Sequence, residues 1–287
     1  MAISNLGMYS KSITESSKSA LVELLRILAS YSRYLVLSGG WAPYFILERF
    51  GVKGQHCGSV DIDFVLHPRL VDLKVYETIA SLIEQRGYAK HVTQDGDVLP
   101  FRFRRTLKSP VNGVEHAIKV DFITEPDVAR KLSAEKFLAV QRDLQAVIIR
   151  GSGVVFSHKF DHQVEAVLPS GAIAKAPANI SDVVGSLSTK GLALKGRYKE
   201  KDAYDIYTTL RHYRGGPKRV ADRIRTHIGD PVVAEALAEI REKFKTARSE
   251  GPFQVGYFLA PGDASLRERI QGEAYAVLRT FFDRLGR

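Results

Sequence analysis

The chain has 287 residues, of which 45% are hydrophobic and 26% charged, a composition typical of a globular protein with one large or two ordinary domains. Its apolar stretches are too short to span a bilayer and its N-terminus lacks the features of a secretory signal, so we expect a cytoplasmic protein with no membrane partner. A formal net charge of +10 favours nucleic acid as a partner, although such a charge also serves solubility.

The first part of the chain mixes helical and strand patterns. In chain order, the predicted elements are a helix over 16–31, a strand over 34–37, a helix over 41–50, a strand over 60–66, a helix over 70–86, strands over 101–106 and 114–122, and a hairpin of 144–149 with 154–157. Residues 154–169 also have the pattern of a segment that extends the sheet.

Strand signals fade from about Ala178 onward. Helical patterns then cover 180–195, 201–214, 217–228, 231–248 and 264–285. We therefore predict an α/β protein, with a mixed sheet in an N-terminal domain over 1–170 and a helical domain over 171–287.

Two aspartates lie on one face of the predicted strand 60–66. Side chains alternate along a strand, so Asp61 and Asp63 point one way while Ile62 and Phe64 point into the core. Neighbouring carboxylates repel each other unless a cation lies between them, and Mg²⁺ commonly takes one or two carboxylates plus substrate phosphates. A third candidate ligand is Asp121, in the predicted strand 114–122.

The segment Ser38-Gly39-Gly40 lies between an apolar strand and a helix. Backbone N–H groups at such a helix start are unpaired and receive phosphate groups. A phosphate-binding turn followed by a strand with two metal-binding carboxylates predicts phosphoryl or nucleotidyl transfer.

A second constellation lies in the helical half. Lys190 and Arg197 are at i and i+7, and Asp202 and Asp205 are three residues apart, so each pair shares a helix face if the helices continue that far. The residues alone favour an exposed charged helix pair. His56 and the only cysteine, Cys57, are interpreted as incidental, because they lack zinc-type spacing.

The glycine turn followed by Asp-x-Asp resembles the nucleotidyltransferase family. The pattern Lys-x-x-Ala-Leu…Arg…Lys-Asp-x-Tyr-Asp-Ile-Tyr, which begins at Lys190, resembles the distal motif of its AbiEii-type branch, which includes toxins of type IV toxin–antitoxin systems and the MenT toxins. The resemblance implies the nucleotidyltransferase fold, nucleotide binding by Lys190, with Arg197 as a further nucleotide-binding candidate, and a functional aspartate at Asp202 or Asp205. Two departures are Trp41 after the glycines, and Cys57 where an arginine is usual.

The expected reaction moves NMP from an NTP to an acceptor hydroxyl, with two Mg²⁺ ions held by Asp61, Asp63 and Asp121. Asp121 is also a candidate proton acceptor. The resemblance implies that the acceptor is the 3′ end of tRNA, in a toxin-like enzyme with a possible cognate antitoxin. The alternatives are transfer to a protein or small molecule, and a non-catalytic NTP-binding module.

Six basic side chains lie within fifteen residues of the helical half. They are a predicted RNA-binding surface, or an ordinary solvated helix exterior. The six are Arg211, Arg214, Lys218, Arg219, Arg223 and Arg225.

Overall fold

The computed structural model describes residues 4–72, 77–125 and 136–286. Within these residues the protein is mixed α/β, and nine strands form one mixed sheet. The strands are β1 Leu35–Leu37, β2 Asp61–Leu66, β3 Ala89–Val92, β4 Val98–Lys108, β5 Glu115–Thr124, β6 Phe137–Gln141, β7 Leu144–Ile148, β8 Lys159–Val167 and β9 Ile173–Ser181.

Nine α-helices lie in the same described residues. They are α1 Lys11–Ile27, α2 Trp41–Phe50, α3 Ile79–Glu84, α4 Val183–Gly196, α5 Glu200–His212, α6 Gly216–Arg225, α7 Pro231–Lys243, α8 Glu250–Leu259 and α9 Ala264–Leu285. No helix in the described part of the chain has both the length and the apolar character needed to cross a bilayer.

The chain forms two compact units. The sheet unit consists of Lys11–Trp41 and Ser59–Ser181, and the helical unit consists of Met1–Ser10, Ala42–Gly58 and Asp182–Arg287. The chain enters the helical unit for the last time at Asp182 rather than at the predicted boundary near 170, because β8 and β9 continue the sheet to Ser181.

The sheet has the strand order β3-β4-β5-β2-β1-β9-β8, and β7 joins it by pairing with β5 and β6. Strands β2 and β5 run parallel, and β4 runs antiparallel to β5. Side chains on one face of these central strands are fully buried, among them Ile62, Phe64, Phe103, Val120 and Phe122. Helix α1 packs against the sheet, and its Leu25, together with Leu28 just beyond the helix, lines a small cavity with Phe64.

Several sequence predictions need correction. Residues 154–157 are not a strand: 154–156 belong to a 3₁₀ helix, Ser152–Phe156, and Ser157 is its C-cap. The hairpin partner of β7 is the unpredicted β6. The predicted helix 70–86 is a 3₁₀ helix at Pro68–Asp72 and a separate α3 that begins after a capping box at Thr78, while residues 73–76 lie outside the described residues. Segment 159–167 does extend the sheet, as β8.

Helices α4 and α7 of the helical unit pack closely at Gly191. A Cβ added to this residue would lie 2.5 Å from the Ala236 carbonyl oxygen and 3.0 Å from the Ala236 Cβ. The obstacle is backbone, which cannot rotate away, so a residue without a side chain is required at this crossing.

We expect Gly191→Ala to lower the free energy of unfolding by about 1–3 kcal/mol, the usual cost of overpacking. This expected loss of stability is opposite in sign to the effect of helix propensity, which favours Ala over Gly by about 1 kcal/mol. Urea unfolding measures the difference. The matched control is Gly272→Ala in α9, where a Cβ meets nothing within 4 Å and should stabilise the protein. Equal shifts in the two variants would contradict this account of the helix crossing.

Candidate active site and a buried ion network

The three predicted metal-binding aspartates lie on adjacent strands of the sheet unit. In the parallel register of β2 and β5, Asp63 is directly opposite Asp121, and Asp61 is opposite Lys119. Asp61 and Asp63 are half-buried and Asp121 is 9% exposed. The pleat turns Ile62, Phe64 and Val120 to the buried face, so the three carboxylates share the other face. We call this the carboxylate face.

Arg102 on β4 binds Asp121 from the other side. Its Nε and Nη2 atoms donate to the two carboxylate oxygens, each at 2.6 Å. Hydrogen bonding to Asp121 raises the pKa of Arg102, burial opposes this, and the charges of Asp121, Asp61 and Asp63 add to the increase. Sequence reasoning missed Arg102, because its position opposite Asp121 depends on the β4–β5 register, which no local pattern specifies.

The glycine turn packs directly on the carboxylate face. The Ser38 N–H donates to the Asp63 carbonyl at 2.9 Å. Gly39 has φ +61°, and a Cβ there would lie 2.9 Å from the Asp63 Cβ and overlap its carboxylate. Both the backbone conformation and the lack of space therefore require glycine. Gly40 is buried, and α2 begins at the next residue.

Trp41 is accommodated in the core of the sheet unit. Its side chain is 1% exposed, and its indole Nε1 donates to Ser17 Oγ of α1 at 3.1 Å. Pro43, the third residue of α2, has no N–H, so this helix start offers one donor fewer than the sequence pattern suggested.

The carboxylate face fits a hard divalent cation by the chemistry of its donors, which are carboxylate oxygens on adjacent strands. Among the described residues no set of three or more Asp, Glu, His and Cys side chains is arranged to hold a metal ion. Arg102 takes up both oxygens of Asp121 in this arrangement.

The second predicted constellation forms a buried ion network in the helical unit. Lys190 Nζ lies 2.7 Å from Asp202 Oδ1 and 2.7 Å from Asp205 Oδ2. Arg197 binds Asp202 Oδ2 at 2.9 Å, and Lys201 binds Asp205 Oδ1. Both aspartates are 1% exposed, so the alternative interpretation of this segment as an exposed charged helix pair does not hold for them.

The network keeps its members charged. Burial raises the pKa of Asp205, but the adjacent Lys190 and Lys201 outweigh it and hold this pKa far below the usual range. Burial alone would lower the pKa of Lys190, but the charges of Asp202 and Asp205 outweigh burial and raise this pKa above its usual range. Removing one partner would leave an uncompensated buried charge.

His56 is a further member of this network, a structural role that no sequence pattern predicted. Its Nε2 atom lies 2.9 Å from Asp205 Oδ1, and its Nδ1 atom accepts the Gly58 N–H at 3.0 Å. Because Nδ1 is an acceptor, the neutral ring carries its proton on Nε2 and donates to Asp205. Burial, reinforced by Lys201, lowers the pKa of His56 to about 4, so the ring is neutral at pH 7.

The basic cluster of the helical unit is partly neutralised. Arg211 pairs with Glu273, Arg223 lies 3.8 Å from Asp182, and Arg225 lies 3.6 Å from Asp222. The exposed members also include Arg214, Lys218 and Arg219. These ion pairs reduce the charge that the predicted RNA surface presents.

Comparison with known proteins gives little beyond this geometry. No family model matches the chain, and no curated protein matches it. A solved structure titled "Crystal structure of JHP933 from Helicobacter pylori" aligns over 96% of this chain and 94% of its own, with 16% sequence identity and a TM-score of 0.42. A likeness at this level carries no argument about the site, so a function must be inferred from the residues of the chain itself.

The buried network predicts a large difference between two lysines of α4. Lys190→Met should lower the free energy of unfolding by about 3–5 kcal/mol, because it leaves two buried carboxylates short of a cation. Lys195→Met should have a much smaller effect, since that side chain is 57% exposed and its ion pairs with Glu235 and Glu239 lie at the surface. Urea unfolding at pH 7 measures both variants. Similar small losses would show that Lys190 is not held as described.

His56 predicts how stability depends on pH. Its pKa is about 4 in the folded protein and near the ordinary 6.5 when unfolded, so the unfolded state binds the proton more readily. The contribution of the neutral His56 to the free energy of unfolding is complete above pH 6.5 and is lost as the pH falls towards 4. At pH 5 the loss is up to about 2 kcal/mol.

Urea unfolding between pH 7 and pH 5 tests this contribution. His56→Gln should show a shallower loss of stability with falling pH than the wild type. An unchanged slope in His56→Gln would contradict the assignment.

Proposed function

We propose that the protein is a nucleotidyltransferase, which moves NMP from an NTP to an acceptor hydroxyl and releases pyrophosphate. The observation that carries the proposal is the contact of the Gly39 turn with Asp63, which itself lies opposite Asp121 in the sheet. This contact joins a phosphate-binding type of turn to a face of carboxylates, the two parts that such a transfer needs. The nucleotidyltransferase fold is part of the proposal.

In this proposal Asp61, Asp63 and Asp121 hold Mg²⁺, which when bound neutralises phosphate charge and makes the acceptor hydroxyl more acidic. The Ser38-Gly39-Gly40 turn orients the phosphate chain beside Asp63. Asp121 is less suited to accept a proton in the described arrangement, because both of its oxygens already accept N–H groups of Arg102. Movement of Arg102 is therefore a condition for that role.

Members of the buried network take different parts in the proposal. Lys190, Asp202 and Asp205 are engaged with one another and buried, so we assign them a positioning role for α4 and α5. Arg197 has a side chain that is 54% exposed, and is the member with surface to offer to a nucleotide phosphate.

The proposed acceptor is RNA, and specifically the 3′ end of tRNA, in a toxin-like enzyme. Two observations support it: the net charge of +10, and the resemblance of the motif beginning at Lys190 to the AbiEii-type branch. A small cationic acceptor is less favoured, because its site should be acidic. A non-catalytic nucleotide-binding module is also less favoured, because it would not need three neighbouring carboxylates.

The proposal is tested by incubating the protein with each α-labelled NTP, Mg²⁺ and total RNA, and sizing the labelled species. Asp63→Asn and Asp61→Asn should each reduce labelling about 100-fold or more, the usual scale for loss of an electrostatic group that acts on the transferred phosphoryl. Their melting temperatures should stay level or rise, because the change relieves repulsion between carboxylates.

The control is Asp161→Asn, an exposed aspartate on β8 of the same unit, which should retain wild-type labelling. Full activity in Asp63→Asn would remove the metal site from the proposal. Labelling of a protein or an aminoglycoside in place of RNA would keep the chemistry and change the acceptor.

A further inference from the structure

The carboxylate face carries its charges in two adjacent rows that run across the strands. The register places Arg102, Asp121 and Asp63 in one row. The same register places Arg104, Lys119 and Asp61 in the next row, two residues away along each strand, or roughly 7 Å. The first row thus has two carboxylates side by side, and the second has two cations side by side.

The two cations of the second row, Arg104 and Lys119, are directly opposed across β4 and β5. Like charges in this position repel each other and destabilise a sheet. Arg104 is exposed and Lys119 half-buried, and among the described residues neither forms an ion pair, although Asp61 lies in the same row as Lys119. The fold thus places two uncompensated cations beside the three aspartates. We call them the cationic pair.

His91 on β3 reports the same concentration of positive charge. Its pKa is lowered, first by burial and then by the charges of Arg102, Lys119 and Arg104. Its Nδ1 atom is buried and has no hydrogen-bond partner in the part of the chain that the structure describes. A neutral imidazole with an unused ring nitrogen and two unpaired cations together form surroundings suited to an anion with several oxygens.

We propose that the cationic pair, Arg104 and Lys119, binds the phosphate chain of the nucleoside triphosphate. The inference rests on the proposed function and extends it to residues that the sequence did not single out. A polyphosphate bound to a divalent cation presents positive and negative charge next to each other. The two rows offer the opposite charges in the same arrangement: the carboxylates bind the cation, and the cationic pair binds the phosphates. Ligand phosphates also remove the repulsion within the pair.

The test measures the affinity for inorganic tripolyphosphate with Mg²⁺ by calorimetry, and the KM for each NTP in the labelling reaction. The double variant Arg104→Gln, Lys119→Gln should weaken tripolyphosphate binding at least about tenfold and raise the KM for NTP by a similar factor. Its melting temperature should not fall, because a like-charge pair has been removed. Lys119→Gln alone serves if the double variant is poorly soluble.

The control is the double variant Lys108→Gln, Lys175→Gln, which makes the same change in net charge. Both lysines are exposed in the sheet unit, at the far end of β4 and on β9, where Lys175 pairs with Glu165. Its tripolyphosphate affinity should stay within about twofold of wild type, since only the long-range field changes.

Equal effects in the two double variants, or no tripolyphosphate binding by the wild type, would overturn the inference. So would a loss of affinity for a short 3′-end RNA with unchanged tripolyphosphate binding, because the pair would then serve the acceptor. If the wild type transfers no nucleotide but binds tripolyphosphate through the pair, the proposed function fails and the phosphate site stands. If transfer occurs and the pair has no effect on KM or affinity, only the phosphate site fails.

Discussion

The contact between Asp63 and the backbone of Gly39 is the constraint on which the arrangement of the candidate site depends. Gly39 combines a positive φ with a carboxylate lying where its side chain would be, so no other residue fits without displacing Asp63. The Ser38 N–H donates to the Asp63 carbonyl and fixes the same two segments through their backbones. The glycine turn and the carboxylate strand are therefore held in one geometry.

Arg102 explains how a face with three carboxylates remains stable in the folded protein. Asp63 and Asp121 are opposed across two parallel strands, an arrangement that is repulsive when both are ionised. A guanidinium that binds both oxygens of Asp121 removes much of that repulsion by a charge-assisted pair of hydrogen bonds. The same contact keeps Asp121 oriented. Arg102 thus compensates the negative charge of Asp121, as a bound cation would.

The sequence predicted the segments whose signals are local. Paired glycines between an apolar strand and a short helical stretch predicted β1, the turn and α2. Alternation over residues 61–64 predicted β2 with its aspartates on one face. Strand β9 was missed, because three of its buried positions are alanines (Ala174, Ala176 and Ala178) and it contains Pro177, so that it has little strand propensity. His56 was missed because its partner, Asp205, lies 149 residues away, and no local pattern reports such a contact.

The motif that begins at Lys190 is explained by helix geometry and charge together. Asp202 and Asp205 are one turn apart on α5, and Lys201 precedes Asp205 by four residues, so all three reach the same buried point as Lys190 of α4. Burying carboxylates is unfavourable unless each is paired and hydrogen-bonded, and here Asp205 has Lys190, Lys201 and the neutral His56. Because each member compensates another, these residues depend on one another for folding before any one of them takes part in chemistry. Only Arg197 extends from this network towards solvent, so any direct contact with a ligand has to begin at that end of the motif.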